Sequence, residues 1–254
     1  MQRHESRESF AHDFVVFDQE QPCPYLPHRL ARTPFRWQMR GISAAEFDTQ
    51  LAAGDRRAGK YLYRAQCNGC AACQAIRIPV AEFEPTAGQR RVWRRGQREI
   101  LTNIGAPHID EVRIALFNEH ARDHGLARDS EIDEPGYRAF LVETCCSTLE
   151  FSYHRGNRLI GPAVADRGVD SLSAVYCYYA SDANRLSPGT YSILRQLEYC
   201  RREGLRYLYL GYYVVGCRAM TYKRNFHPHE RLIEGVWRRF ERNEDSDESA
   251  NLDI

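Results

Sequence analysis

"LSAVYCYYASDANRLSPGTYSILRQLEYCRREGLRYLYLGYY", residues 172–213, decides the fold, because its texture changes twice. LSAVYCYY (172–179) is rich in β-branched and aromatic residues and reads as a strand. Arg185-Leu186-Ser187-Pro188-Gly189-Thr190 then opens a helix that runs to Gly204. Ser187 suits the N-cap, Pro188 the first helical position and Gly204 the C-cap. YLYLGYY (207–213) follows at once as another strand. Just upstream, LEFSYH (149–154) and RLIGPAVA (158–165) flank the turn residues Arg155, Gly156 and Asn157, which predicts a hairpin.

Strand, strand, strand, helix, strand is the core order of the acetyltransferase-like (GNAT-type) acyl-transfer fold, in which a helix N-terminus faces the donor. Unpaired N–H groups and a positive dipole end suit such a terminus to a phosphate or carboxylate. On local features alone, an ordinary capped helix in an α+β domain remains the simpler reading. The expected fold is therefore α+β, with a GNAT-type mixed sheet and flanking helices in the C-terminal half.

Further toward the N-terminus, EVRIALFNEHARDHG (111–125) and GYRAFLVETCC (136–146) are helix-like. SAAEFDTQLAAG (43–54) carries a capping box, Ser43 with Glu46, and closes at Gly54. IRIPVAEF reads as a strand, and QRRVWRRGQREI packs Arg90, Arg91, Arg94, Arg95 and Arg98 around Trp93. Pro22, Pro24, Pro27 and Pro34 crowd around Cys23, Tyr25 and Arg29 and predict a rigid, non-helical path. These textures divide the chain into a smaller cysteine-containing α+β domain (1–105), an acetyltransferase-like domain (106–240) and an acidic, disordered tail (241–254).

The 254 residues carry 43% hydrophobic and 27% charged side chains, the balance of a globular, soluble chain. No run approaches the roughly 20 apolar residues of a membrane span, and MQRHESRESFAHDF has no signal-type apolar stretch. The expected location is the cytoplasm, with no membrane partner. A net charge of +1 leaves any nucleic-acid binding to a local patch. The nine cysteines then point to reduced thiols or metal ligands rather than a disulfide framework.

Three of those thiols stand in YRAQCNGCAACQAIRIP (63–79): Cys67, Cys70 and Cys73. C-x2-C-x2-C is the first part of a ferredoxin-type run, whose fourth ligand is a remote cysteine followed by proline. Cys23-Pro24 is such a pair. Cys23, with two or three of Cys67, Cys70 and Cys73, is expected to bind a redox-sensitive iron–sulfur cluster or zinc. Reduced structural cysteines, or a disulfide within the cluster, are the alternatives. Cys145, Cys146, Cys177 and Cys200 read as core.

PCPYLPHRLARTPF, YLYRAQCNGCAACQAIRIPV with QRRVWRR, DSLSAVYCYY, and LYLGYYVVGCRAMTYKRNFHPHE together resemble the aminoacyl-tRNA–protein transferases of the N-degron pathway. The likeness runs from about Cys23 to Glu230 and is nearest the short bacterial branch, the aspartate/glutamate leucyltransferases. Ser171 stands where the family usually has glycine. Leu186-Ser187-Pro188-Gly189 replaces a Ser-Leu-Gly, and Ala219 replaces a lysine before Met220.

The resemblance implies transfer of leucine from leucyl-tRNA to the N-terminal amine of proteins beginning with Asp or Glu, marking them for degradation. Such aminolysis of an activated ester needs positioning and oxyanion stabilisation more than a strong base, because an α-amine of pKa about 7.7–8.0 is already partly neutral. No cofactor is required for that chemistry, and no covalent intermediate is expected. Cys217 therefore reads as a structural thiol.

Ser173, Tyr176, Tyr191 and Tyr212, with Gly189 at the helix start, are the candidates for oxyanion or ribose contacts; simple packing competes for each tyrosine. An acidic acceptor needs a fixed cation, for which Arg29, Arg64, Arg77 and Lys223 are candidates. Arg90, Arg91, Arg94 and Arg95 form a candidate phosphate track for tRNA, against the alternative of a solvated helix face. The resemblance also places the cysteines in a domain where eukaryotic relatives suggest metal or cluster binding. Arginyl transfer, a tRNA- or metal-binding redox sensor without activity, and an acetyl-CoA-dependent acetyltransferase remain as other readings. The last lacks its usual glycine-rich pyrophosphate loop here.

Overall fold

The computed structural model describes residues 13–125 and 131–242. The N-terminal part runs β1 (Asp13–Phe17), β2 (Glu20–Pro22), β3 (Leu30–Arg32), β4 (Phe35–Gln38), α1 (Ala44–Ala52), β5 (Arg56–Ala58), β6 (Tyr61–Tyr63), β7 (Cys73–Pro79), α2 (Ala87–Glu99) and β8 (Leu101–Gly105). The remainder runs α3 (Glu111–Asp123), α4 (Glu134–Tyr137), β9 (Thr148–Arg155), β10 (Arg158–Arg167), β11 (Ser171–Cys177), α5 (Pro188–Arg202), β12 (Tyr207–Val214), β13 (His229–Ile233) and β14 (Val236–Phe240). Short 3₁₀ turns at Ser181–Leu186 and Arg218–Asn225 precede α5 and β13.

The protein is α+β. An eight-stranded mixed sheet has the order β14-β13-β7-β12-β11-β10-β9-β8, beside a four-stranded sheet β1-β4-β6-β5 and the ribbon β2-β3. The expected hairpin is β9–β10, turning at Gly156 with φ 58°. β11 and β12 run parallel, as a crossover through α5 requires. β7 lies between β12 and β13, so the strand that begins at Cys73 is an interior strand of the large sheet. No helix among the described residues is long and apolar enough to cross a membrane. The acidic tail lies, after Arg242, outside the described residues.

Alternation along β12 explains the layering. Leu208 and Leu210 join Leu194 and Leu197 of α5 in the main core, while Tyr209 on the other face meets Phe47 and Leu51 of α1. Val164 of β10 turns to the second face too, with Leu116 of α3 and Tyr137 of α4. Burial of each such Leu contributes about 1.5–3 kcal/mol.

The capping box at Ser43 forms as expected, and Thr86 with Gln89 forms a second one at the start of α2. Two expectations are corrected. The helix expected over 136–146 ends by Val142, where Glu143 turns extended and Cys145 gives its carbonyl to the N–H of Ile42. That tertiary hydrogen bond holds the following loop away from the helical path. Ser187 is not an N-cap in the expected sense: it is left-handed (φ 53°, ψ 59°) and its hydroxyl makes no cap bond.

Candidate functional site

A cleft of about 770 Å³ opens between α2, the N-terminus of α5 and the 3₁₀ turn Arg218–Asn225. Arg91 and Arg95, four apart and so on one face of α2, line it together with Arg224 and Arg242. Among the described residues no carboxylate lines it, so four guanidinium groups face one space. Gln89 fastens the two walls by donating from Nε2 to the Asn225 carbonyl at 3.0 Å. Arg95 is itself oriented by a hydrogen bond to the Arg185 carbonyl just before α5.

The third wall is the start of α5, from which Ser187 and Thr190 line the cleft. Its first-turn N–H groups, at Gly189 and Thr190, have no carbonyl one turn back, and the dipole adds partial positive charge there. The left-handed turn at Ser187 is a strained non-glycine conformation, the kind that persists where surrounding structure holds it. It frees the serine hydroxyl from capping and leaves it at the cleft. A Cβ on Gly189 would stand 3.7 Å from the Tyr179 ring, and Tyr222 lies within electrostatic reach of Tyr179 and Cys177. Gly189, Tyr179 and Tyr222 thus meet where β11 ends and α5 begins.

Beneath this point the parallel strands part. β11 and β12 are paired only from Ser171 to Ser173 against Tyr207 to Tyr209. Beyond Tyr209 the β12–β7 register shifts, around Gly211 at φ 79°. A crevice outside the carboxyl ends of parallel strands is a recurrent ligand position.

Some of the sequence candidates meet here and others do not. Arg91 and Arg95 line the cleft, and Gly189 sits in the chain between its lining residues Ser187 and Thr190. Lys223 is buried on the other side of its turn, donating from Nζ to the Tyr212 carbonyl at 2.7 Å. Burial, then the neighbouring Arg56, pulls its ammonium down to about 7. Ser173 is buried on β11 opposite Tyr209 and Asp166. Tyr176 sits among the rings of Phe117, Phe140 and Tyr178. Tyr191 is fully buried, stacked on Trp93, and Tyr212 bridges to the small sheet through the Gly54 carbonyl and the Ala65 N–H.

Arg64 is paired with Asp55 at 2.9 Å, and Arg77 with Glu230 at 2.6 Å between the rings of Tyr207 and Trp237. Arg29 is exposed beside Cys23, to whose N–H it gives its carbonyl. Arg90 turns back to the Pro85 carbonyl and Arg94 is exposed, neither lining the cleft. Sequence reading missed Ser187 as a cleft residue, and Thr190, Tyr222, Arg224 and Arg242 altogether. Thr190 stood in the helix-opening stretch and Tyr222 and Arg224 in MTYKRNF, both already singled out, but none of the three was read as a site residue.

The four cysteines gather around Cys73, whose thiol is pushed up to about 12, first by burial and then by Cys67, Cys23 and Cys70. The Cys23 sulfur accepts the Leu26 N–H at 3.4 Å, and that of Cys67 the Arg32 N–H at 3.4 Å. A metal needs thiolates converging on one point. Among the described residues no three His, Cys, Asp or Glu side chains form such a shell, so in this arrangement the thiols do not fit a resident metal.

The sequence matches the family described as "Arginine-tRNA-protein transferase", its N terminus over residues 21–91 and its C terminus over 112–233. An aspartate/glutamate leucyltransferase of Hahella chejuensis is 35% identical over 221 residues, 86% of this chain and 93% of the relative. One of Alkalilimnicola ehrlichii is 38% identical over 227 residues (86% and 92%), and one of Acinetobacter baumannii 33% over 233 (91% and 85%).

Proposed function

The chain belongs to the arginine-tRNA-protein transferase family, and from that premise we propose that it transfers leucine from leucyl-tRNA to the N-terminal amine of proteins beginning with Asp or Glu. The observation that carries the donor and acceptor is the near-full-length identity to relatives named aspartate/glutamate leucyltransferase. Transfer of this kind marks the acceptor for degradation. The parallel pair with its α5 crossover supports assigning the acetyltransferase-like (GNAT-type) core to this chain.

The cleft supplies what the donor needs. Arg91, Arg95 and Arg224 take the phosphates at the tRNA 3′ end, which position it without reading sequence. The ester carbonyl then lies toward Tyr179, Gly189 and Tyr222. There the free N–H groups of α5 and the tyrosine hydroxyls receive the negative charge that develops on its oxygen. The acceptor α-amine, neutral, adds to that carbonyl, and the terminal ribose hydroxyl leaves with a proton. One C–O bond is exchanged for one C–N bond, and no residue of the chain is acylated. Lys223 stands on the acceptor side. Ser173, Tyr176, Tyr191 and Tyr212 act as the framework that holds β11, α5 and β12 in register.

The test is a transfer assay read by mass spectrometry, with leucyl-tRNA or arginyl-tRNA and peptides beginning in Asp, Glu, Lys or Ala. Addition of one leucine to the Asp and Glu peptides alone is the expected result. Arginine addition would keep the mechanism and overturn the donor. No transfer from either charged tRNA would sink the enzyme reading.

A further inference from the structure

An acidic acceptor side chain needs a cation that no internal carboxylate already holds. Arg64 and Arg77 fail that requirement, being paired with Asp55 and Glu230. Arg56, at the start of β5, meets it. The residue is 4% exposed, donates from Nη1 to the Asp55 carbonyl at 2.8 Å and from Nη2 to the Gly211 carbonyl at 2.6 Å, and its buried Nε has no acceptor. The Asp55 carboxylate is occupied by Arg36 at 2.7 Å and by Arg64. No carboxylate among the described residues lies within ion-pair distance of Arg56 or of Lys223, which is 8% exposed and anchored one residue further along β12.

Two neighbouring basic side chains, Arg56 and Lys223, are therefore buried at the Gly211 bulge with no carboxylate of the described residues in ion-pair contact. Buried charge is ordinarily paired, since desolvation is otherwise uncompensated. The rings of Tyr209 and Tyr212, with centroids 5.6 and 5.3 Å from the guanidinium, offset only part of that deficit. Gly211 is half-buried, and a Cβ there would stand 3.6 Å from Lys223 Nζ, so a side chain at this position would cover the lysine's charged end. Lys223 hangs from the turn whose Tyr222 and Arg224 line the cleft, so the cations and the cleft are two sides of one wall.

We propose that Arg56, with Lys223 beside it, is the acceptor-specificity site, its guanidinium taking the side-chain carboxylate of the N-terminal Asp or Glu. The inference rests on the transferase reading above. Asn and Gln, isosteric but neutral, leave the guanidinium unpaired and are rejected for that reason.

The experiment compares kcat/KM for peptides beginning in Asp, Asn, Glu and Gln with wild type and Arg56→Gln, alongside leucyl-tRNA affinity and melting temperature. Arg56→Gln should lose about 10²-fold or more on Asp and Glu peptides. Asn and Gln peptides should change little, and leucyl-tRNA affinity should hold. An equal loss on acidic and neutral peptides, or no loss, overturns the proposal. Should Arg56→Gln not fold, Arg56→Lys decides the same way, because a point charge on a shorter reach must shift the Asp-to-Glu preference if this side chain holds the carboxylate. An unchanged preference refutes it. If wild type transfers leucine to no acidic peptide, it is the transferase reading that has failed, and the two failures are distinct.

Discussion

Gly96→Ala should separate α2 from α5 and damage the cleft between them. Gly96 is buried in α2, and a Cβ there would fall inside the van der Waals boundary of the Tyr191 ring. That ring cannot swing away, because Trp93 stacks on it at 5.8 Å and Tyr153 meets it edge-on at 5.8 Å. Carbon atoms rest about 3.5–4.0 Å apart, so helix or ring must shift by about 1 Å or more. Overpacking of this kind costs about 1–3 kcal/mol, and a forced shift of a whole helix belongs at the top of that range. Alanine returns about 1 kcal/mol of helix propensity. The net loss is about 2 kcal/mol, or about 4–8 °C in melting temperature for a chain of this size.

Gly88→Ala on the same helix is the control. Its Cβ would sit 3.7 Å from Thr86 Oγ1 and 3.9 Å from Arg91 Nη2, which is ordinary contact. Gly88→Ala should hold or raise the melting temperature while Gly96→Ala lowers it. Only Gly96→Ala should weaken leucyl-tRNA binding, since it displaces Arg91 and Arg95 from the N-terminus of α5. Thermal unfolding by circular dichroism and a filter-binding titration give both readouts. A Gly96→Ala protein as stable as wild type would refute the packing argument.

Three further outcomes are expected. Asp166→Ala should lower stability by about 3–5 kcal/mol in urea unfolding, because it strands Arg57. The two side chains pair at 2.6 Å with no exposure, and Arg57→Met/Asp166→Leu should lose less than the single variant. His229 accepts the Arg231 Nε–H on Nε2, so its proton sits on Nδ1, which donates to the Phe226 carbonyl. Burial, then Arg231, lowers it to about 3. The unfolded chain binds this proton between about pH 6.5 and 3 and the folded chain does not, so wild type loses stability as pH falls through that window. His229→Gln should flatten that slope by up to about 1.4 kcal/mol per pH unit, and an unchanged slope argues against it. Finally, Arg91→Ala/Arg95→Ala should reduce the salt slope of leucyl-tRNA binding by about 1.5; equal slopes would remove both from the phosphate contacts.

Local grammar carried the second half of the chain. The β9–β10 hairpin, β11, α5 and β12 follow from alternation, a turn glycine and helix-ending residues, all of which act within a few positions. The arginine-rich helix α2 was legible too, but not which arginines face the cleft. That follows from α2 packing against α5, which turns Arg91 and Arg95 inward and leaves Arg94 in solvent. Ser187 shows the same boundary: its residue type predicts a cap, yet the preceding 3₁₀ turn delivers it left-handed.

By itself the sequence determined the order of elements from β9 to β12, the α+β class and the family, because periodicity, capping and motif spacing are properties of neighbouring residues. Tertiary structure alone decided which cations are free to meet a ligand. Arg64 and Arg77 are as basic as Arg56 in the sequence. Arg77 meets Glu230 only because β7 lies beside β13, and Asp55 is consumed by Arg36 and Arg64 before it can reach Arg56. Charge pairing depends on distance in space and on exclusion of water, and neither is written in the order of the residues.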